Sequence, residues 1–116
     1  MSGYVGDGLN RWSAVHRLDA AHLFHLALTD APAGSRLHAV GEEGVPFHTI
    51  AEAIGRGTGL PVVSVAAEDA VDHFGFLGAF NGADIPASSE ATRTLLGWQP
   101  THATLLEDLE SGVYFA

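Results

Sequence analysis

The sequence predicts a small single domain of the α/β class, built from short strands and four to five helices. The 116 residues are 47% apolar and only 16% charged, which is typical of a folded chain and not of a disordered one. Apolar residues recur at helical spacing in several segments, and short β-branched or alternating runs separate these segments. We find no linker, repeat or low-complexity segment, so residues 1–116 are treated as one domain.

The helices are predicted from apolar stripes and from the residues that begin or end them. Asp19 is the expected N-cap of the first helix, whose apolar stripe includes Leu23 and Phe24. Thr104 and Glu107 have the spacing of a capping box at the start of the last helix. The predicted helical segments are residues 20–30, 47–56, 68–74 together with 76–80, 88–96, and the chain from 104 onward.

Short strands are predicted from β-branched and alternating residues. The run from Val62 to Val65 is the clearest of them. The glycine-rich start, around Tyr4 and Val5, predicts a short strand or an extended arm. Further strands are predicted over residues 14–18 and 36–40, with a turn over 41–46.

Charge and composition exclude several classes of function. A net charge of −9 repels nucleic acid and anionic membranes, so neither is an expected partner. Cysteine and lysine are both absent from the sequence, which excludes disulfides, thiolate zinc sites, a P-loop lysine and a Schiff-base lysine. No apolar run approaches the roughly 20 residues that span a bilayer. The first residues lack the basic and apolar regions of a signal peptide, and we therefore expect a cytoplasmic protein.

Four stretches carry a resemblance: residues 17–21 (RLDAA), 44–61 from GVPF to the LP pair, 88–101 ending in LGWQPT, and 105–115. They resemble the extended short-chain dehydrogenases, the NAD-dependent epimerase/dehydratase family. The order and spacing of these segments match the C-terminal, substrate-side part of that family over essentially the whole chain. The resemblance implies a substrate-binding subdomain without a complete Rossmann sheet.

Two features of that family are missing from this sequence. The sequence has no glycine-rich TGxxGxxG turn between a strand and a helix, and no Tyr-x-x-x-Lys pair. We therefore expect no bound cofactor, no NAD(P) binding and no hydride transfer by this chain alone.

Candidate site residues concentrate in the N-terminal part of the chain. Arg11 could hold an anionic or carbonyl group, and His16 could act as an acid or a base near neutral pH. The alternative for the neighbouring Arg17 and Asp19 is structural, since they could pair with each other or cap the first helix. The candidate catalytic residues are His16, Asp7 and His73, and the candidate substrate-binding residues are Asn10, Arg11, Trp12 and Phe74.

His73 and Phe74 lie in the region that supplies variable substrate-pocket residues in the resembled family. An aromatic ring beside a titratable group suits a flat, partly polar organic ligand, although core packing of Phe74 is the alternative. No metal site is expected, because Asp19, His22 and His25 on one helix cannot converge on a single ion.

The leading hypothesis is a truncated protein of the extended short-chain dehydrogenase type that binds a small organic substrate. One alternative is a cofactor-independent acid–base enzyme (an isomerase, cyclase or dehydratase, as in natural-product biosynthesis) that uses the old substrate pocket in a homodimer. The other alternative is a non-catalytic binding module. A homodimer is expected because the missing dinucleotide domain should leave apolar surface uncovered, with Tyr4, Val5 and Trp12 near the interface.

Overall fold

Two small sheets and six α-helices make up residues 1–115, the part of the chain that the computed structural model describes. The strands are β1 (Ser2–Val5), β2 (Arg11–Ala14), β3 (Glu42–Pro46) and β4 (Val62–Val65). The helices are α1 (Arg17–Asp30), α2 (Phe47–Thr58), α3 (Ala70–Phe74), α4 (Gly78–Asn81), α5 (Glu90–Leu96) and α6 (Leu105–Ser111). The 3₁₀ turn Ala67–Asp69 leads into α3, and a second 3₁₀ turn, Gly75–Leu77, joins α3 to α4. The predicted class, a small α/β domain of short strands, is confirmed.

Each sheet contains two strands. β1 and β4 pair in parallel, with Val5 opposite Val65. β2 and β3 pair antiparallel, with Trp12 opposite Val45 and an irregularity in the register between Trp12 and Ala14. The Ser2 hydroxyl donates to the Ala51 carbonyl at 2.6 Å, which ties β1 to α2.

The predicted strand over residues 36–40 is wrong, and so is the predicted turn over 41–46. Residues 42–46 form β3, because the backbone of β2 lies beside them and supplies hydrogen-bond partners. Residues 36–40 alternate in polarity, but no neighbouring strand pairs with them within residues 1–115. The predicted strand over 14–18 is also displaced, since the paired residues are 11–14 and the chain enters α1 at Arg17.

The start of α1 differs from the prediction. Its N-cap is His16, whose side chain accepts a hydrogen bond from the Leu18 amide, and not Asp19. Asp19 is only 2% exposed and bonds to another part of the chain. Phe24, expected in the apolar core stripe, is 75% exposed, whereas Leu23 is buried as predicted.

The main core lies between α2, β3 and α6. Val45, Ile50, Ala53 and Leu109 form its buried cluster. Trp98, in the segment between α5 and α6, is fully buried. The predicted capping box is confirmed, because Thr104 and Glu107 exchange both side-chain-to-backbone hydrogen bonds at the start of α6.

No helix within residues 1–115 is both long enough and apolar enough to cross a membrane.

Candidate functional site

A cleft of about 530 Å³ opens between the start of α1 and helix α6. Its polar side chains come from His16 and Arg17 on one side and from Asp108 and Tyr114 on the other. A smaller recess of about 100 Å³ adjoins it and shares four residues with it, including His16. His102 and Asp19 line this recess, so the two cavities together bring two histidines and two aspartates to one surface region.

His16 is held at both of its ring nitrogens. The Leu18 amide donates to His16 Nδ1 at 3.1 Å, so this nitrogen carries a lone pair when the ring is neutral. The proton of the neutral ring therefore lies on Nε2, which is 3.4 Å from Asp108 Oδ2. The same side chain caps α1 and presents an N–H group toward α6.

The buried carboxylate of Asp19 accepts hydrogen bonds from three donors. The backbone amides of Thr101 and His102 donate to its two oxygens at 3.0 Å each. The ring of His102 lies closer still, with Nδ1 at 2.6 Å from Asp19 Oδ1. Burial acts to raise the pKa of Asp19, but the hydrogen bonds from His102 and from the Thr101 and His102 amides outweigh it and lower that pKa. Asp19 therefore stays ionised, and His102 Nδ1 is the donor.

The two imidazole rings stack on each other. The ring centroids of His16 and His102 are 5.0 Å apart and their planes differ by 23°. His102 is hydrogen-bonded to Asp19 at 2.6 Å, whereas His16 Nε2 lies 3.4 Å from Asp108 Oδ2. The His16 ring presents an N–H donor and the His102 ring a lone pair at the edge of a cavity. Such a pair of groups can act in general acid–base catalysis. Within residues 1–115, no three His, Asp or Glu side chains are grouped as metal ligands would be.

The predicted substrate-binding residues at the start of β2, Asn10, Arg11 and Trp12, all contact the chain from the end of α4 to Asp84. Asn10 Nδ2 donates to the carbonyl oxygens of Asn81 and Ala83, and Trp12 Nε1 donates to that of Ala83. Arg11 forms two side-chain hydrogen bonds to Asp84, at 3.2 and 3.1 Å. These bonds raise the pKa of Arg11 and lower that of Asp84, and both side chains are half exposed.

The remaining predicted residues lie elsewhere. His73 and Phe74 meet edge to face, with ring centroids 4.5 Å apart, and both rings pack over Gly3 of β1. The Asp7 carboxylate accepts from the Leu9 amide in the turn between β1 and β2. The structure therefore divides the predicted site residues among four places: the His16 cleft, the contact of residues 10–12 with residues 81–84, the surface of β1, and the turn between β1 and β2.

Asp108 of the cleft and His102 of the adjoining recess are not among the sequence candidates. Asp108 lies in the first turn of α6, where an acidic residue is normally explained by the helix dipole. His102 follows a proline and pairs with a residue 83 positions earlier. Nothing local in the sequence signals a pairing over that distance, so only the folded chain reveals it.

The fold matches one part of a dTDP-glucose 4,6-dehydratase. The chain superposes on the crystal structure of DesIV, a dTDP-glucose 4,6-dehydratase from Streptomyces venezuelae with NAD and TYD bound, with a TM-score of 0.66. The match covers 97% of this chain and 33% of that protein, at 20% sequence identity. This likeness establishes the fold.

Two yeast proteins are similar in sequence, and neither is characterised. C2A9.02 of Schizosaccharomyces pombe is 54% identical over 115 residues, which are 99% of this chain and 39% of that protein. YLL056C of Saccharomyces cerevisiae is 53% identical over 110 residues, which are 95% of this chain and 37% of that protein. The chain thus spans about two fifths of the length of these relatives. No protein-family model matches it.

Proposed function

We propose that this chain is the substrate-side part of a protein of the extended short-chain dehydrogenase type, and that it binds a small organic ligand. The observation that carries the proposal is the structural match over 97% of the chain to a third of a dTDP-glucose 4,6-dehydratase. The chain has no lysine and no TGxxGxxG turn, which fits a part that contributes ligand contacts and leaves dinucleotide binding to another part.

The proposed ligand surface is the edge of β2 together with the segment from α3 to residue 85. Arg11 and Asp84 form a two-point ion pair that is half exposed, so an anionic or carbonyl group of a ligand could replace the Asp84 carboxylate. Large apolar side chains lie exposed in the same segment, which suits the flat part of an organic molecule. They are Val71, Phe76, Leu77, Phe80 and Ile85.

Binding of anilinonaphthalene sulfonate, a flat aromatic anion, tests this surface directly. Titration followed by the dye's fluorescence should give saturable binding, and Arg11→Gln should weaken it about tenfold because a charge-assisted hydrogen bond is lost. Arg56→Gln is the matched control, since Arg56 and Glu110 form an ion pair of similar exposure on another face. Equal weakening by both substitutions would mean that the dye responds to net charge and not to the Arg11 site.

Calorimetric titration with NADH and NADPH tests the second half of the proposal. We expect no heat of binding at micromolar concentrations of this chain. Micromolar binding of either dinucleotide by the chain alone would contradict the proposal that another part of the protein binds the dinucleotide.

A further inference from the structure

His102 differs from its stacked neighbour in having a ring nitrogen with no protein partner. Its Nδ1 is bonded to Asp19, and no group within residues 1–115 bonds to its Nε2. The side chain is 42% exposed and lines the recess beside the larger cleft. Because Asp19 holds the proton on Nδ1, the neutral ring presents the lone pair of Nε2 at this surface.

We propose that His102 Nε2 is a general base that removes a proton from the carbon next to a carbonyl group. The substrate class is a small neutral carbonyl compound that reaches the recess lined by His16 and His102 from the adjoining cleft between α1 and α6. This inference uses none of the residues of the Arg11 surface and goes beyond the proposed function.

The step balances without any cofactor. The carbon–hydrogen bond breaks and its proton moves to His102 Nε2, while its electron pair forms a carbon–carbon double bond. The carbonyl π electrons move onto the carbonyl oxygen, which becomes an enolate oxygen. The N–H of His16 Nε2, whose present contact to Asp108 is a long 3.4 Å, is the donor available to that oxygen. Return of a proton from Nε2 to carbon restores the base.

The charges around the cavities favour a neutral ligand. Asp19, Asp108 and Glu42 contribute negative charge, and Arg17 is the one arginine that lines them. An anionic substrate would meet net repulsion, whereas a neutral carbonyl compound would not. The apolar side chains of the cleft, among them Val15 and Leu105, can cover its carbon atoms.

Asp19 acts as a positioning residue for this reaction. It fixes the tautomer of His102, and its negative charge stabilises the imidazolium that forms when Nε2 takes up the proton. His102→Asn is therefore the informative variant, because the asparagine amide can still donate to Asp19 from the position of Nδ1 but provides no base.

Exchange of hydroxyacetone protons for deuterium in D2O, followed by proton NMR, measures the proposed step. The wild-type chain should exchange the protons next to the carbonyl faster than buffer, and His102→Asn should remove at least about 90% of that excess rate. His25→Asn is the matched control, because His25 is an exposed histidine on α1 away from the cluster, and its rate should equal the wild-type rate.

Nitrogen-15 NMR of the wild-type histidines tests the premise without any substitution. We expect His102 to carry its proton on Nδ1 and His16 to carry its proton on Nε2. The opposite tautomer for His102, exchange no faster than in buffer, or an undiminished rate in a folded His102→Asn chain would each overturn the inference. None of these results bears on dye binding at Arg11, so the two proposals fail separately.

Discussion

The carboxylate of Asp19 and the imidazole of His102 lie 2.6 Å apart, although 83 residues separate them in the chain. This contact joins the first turn of α1 to the segment that enters α6. Trp98 reinforces it, because its indole N–H donates to the Asp19 carbonyl at 2.9 Å. The buried Asp19 thus connects the start of α1 to the segment before α6, and these two parts of the chain border the cleft and its recess.

Asp19→Asn should destabilise the fold by about 2–3 kcal/mol. The asparagine NH₂ group would face amide donors that now bond to a carboxylate oxygen, leaving a buried donor unsatisfied. Urea unfolding at neutral pH measures the change. Asp30→Asn removes the same charge from an exposed position at the end of α1 and should change the free energy of unfolding by less than about 0.5 kcal/mol.

Acid should weaken the fold through Asp19. Its pKa is lowered in the folded chain, so its contribution to stability is present above the unfolded pKa of about 3.9 and is lost as the pH falls through the lower folded pKa. Urea midpoints measured from neutral pH down to about pH 3 should decline in the wild type and decline less in Asp19→Asn. Asp84→Asn is the comparison, since the pKa of Asp84 is also lowered but its side chain is half exposed and screened. If Asp84→Asn reduced the acid-induced decline in the urea midpoint more than Asp19→Asn does, the assignment to Asp19 would be contradicted.

Thr104→Ala should cost about 1 kcal/mol of stability. The substitution removes the hydroxyl that accepts from the Glu107 amide and so breaks the capping box of α6. Thermal unfolding followed by circular dichroism measures the loss. Thr94→Ala is the control, because Thr94 is exposed and its hydroxyl only donates to a carbonyl within α5, where alanine is the better helix former.

We propose that the chain forms a homodimer, as the uncovered apolar surface suggests. Tyr4, Val5 and Trp12 are each partly buried within the chain, whereas Phe24 and Leu28 on α1 are 75% and 88% exposed. Sedimentation at tens of micromolar should give twice the monomer mass, and a Phe24→Ser, Leu28→Ser double variant should shift the chain toward monomer. A wild-type chain that sediments strictly as a monomer would refute the dimer.

Most of the helices were predictable because their signals are local. The apolar spacing of α2 and the Thr104–Glu107 capping box are complete within a few residues, and the structure confirms both. The strand at Val62–Val65 was predicted for a related reason, since four β-branched or small residues favour extended backbone wherever a partner is found.

Strand pairing and the cleft were not predictable in this way. Residues 36–40 alternate as a strand should, yet β3 forms at 42–46 because β2 lies beside that segment. His16 was a sequence candidate, but its partners Asp108 and His102 come from the far end of the chain. The sequence alone therefore determined the class of the fold, most of the helices and the absence of lysine and cysteine chemistry, since these depend on composition and near neighbours. Only the tertiary structure decided which strands pair and which carboxylate orients which imidazole, because those contacts join residues that no local pattern relates.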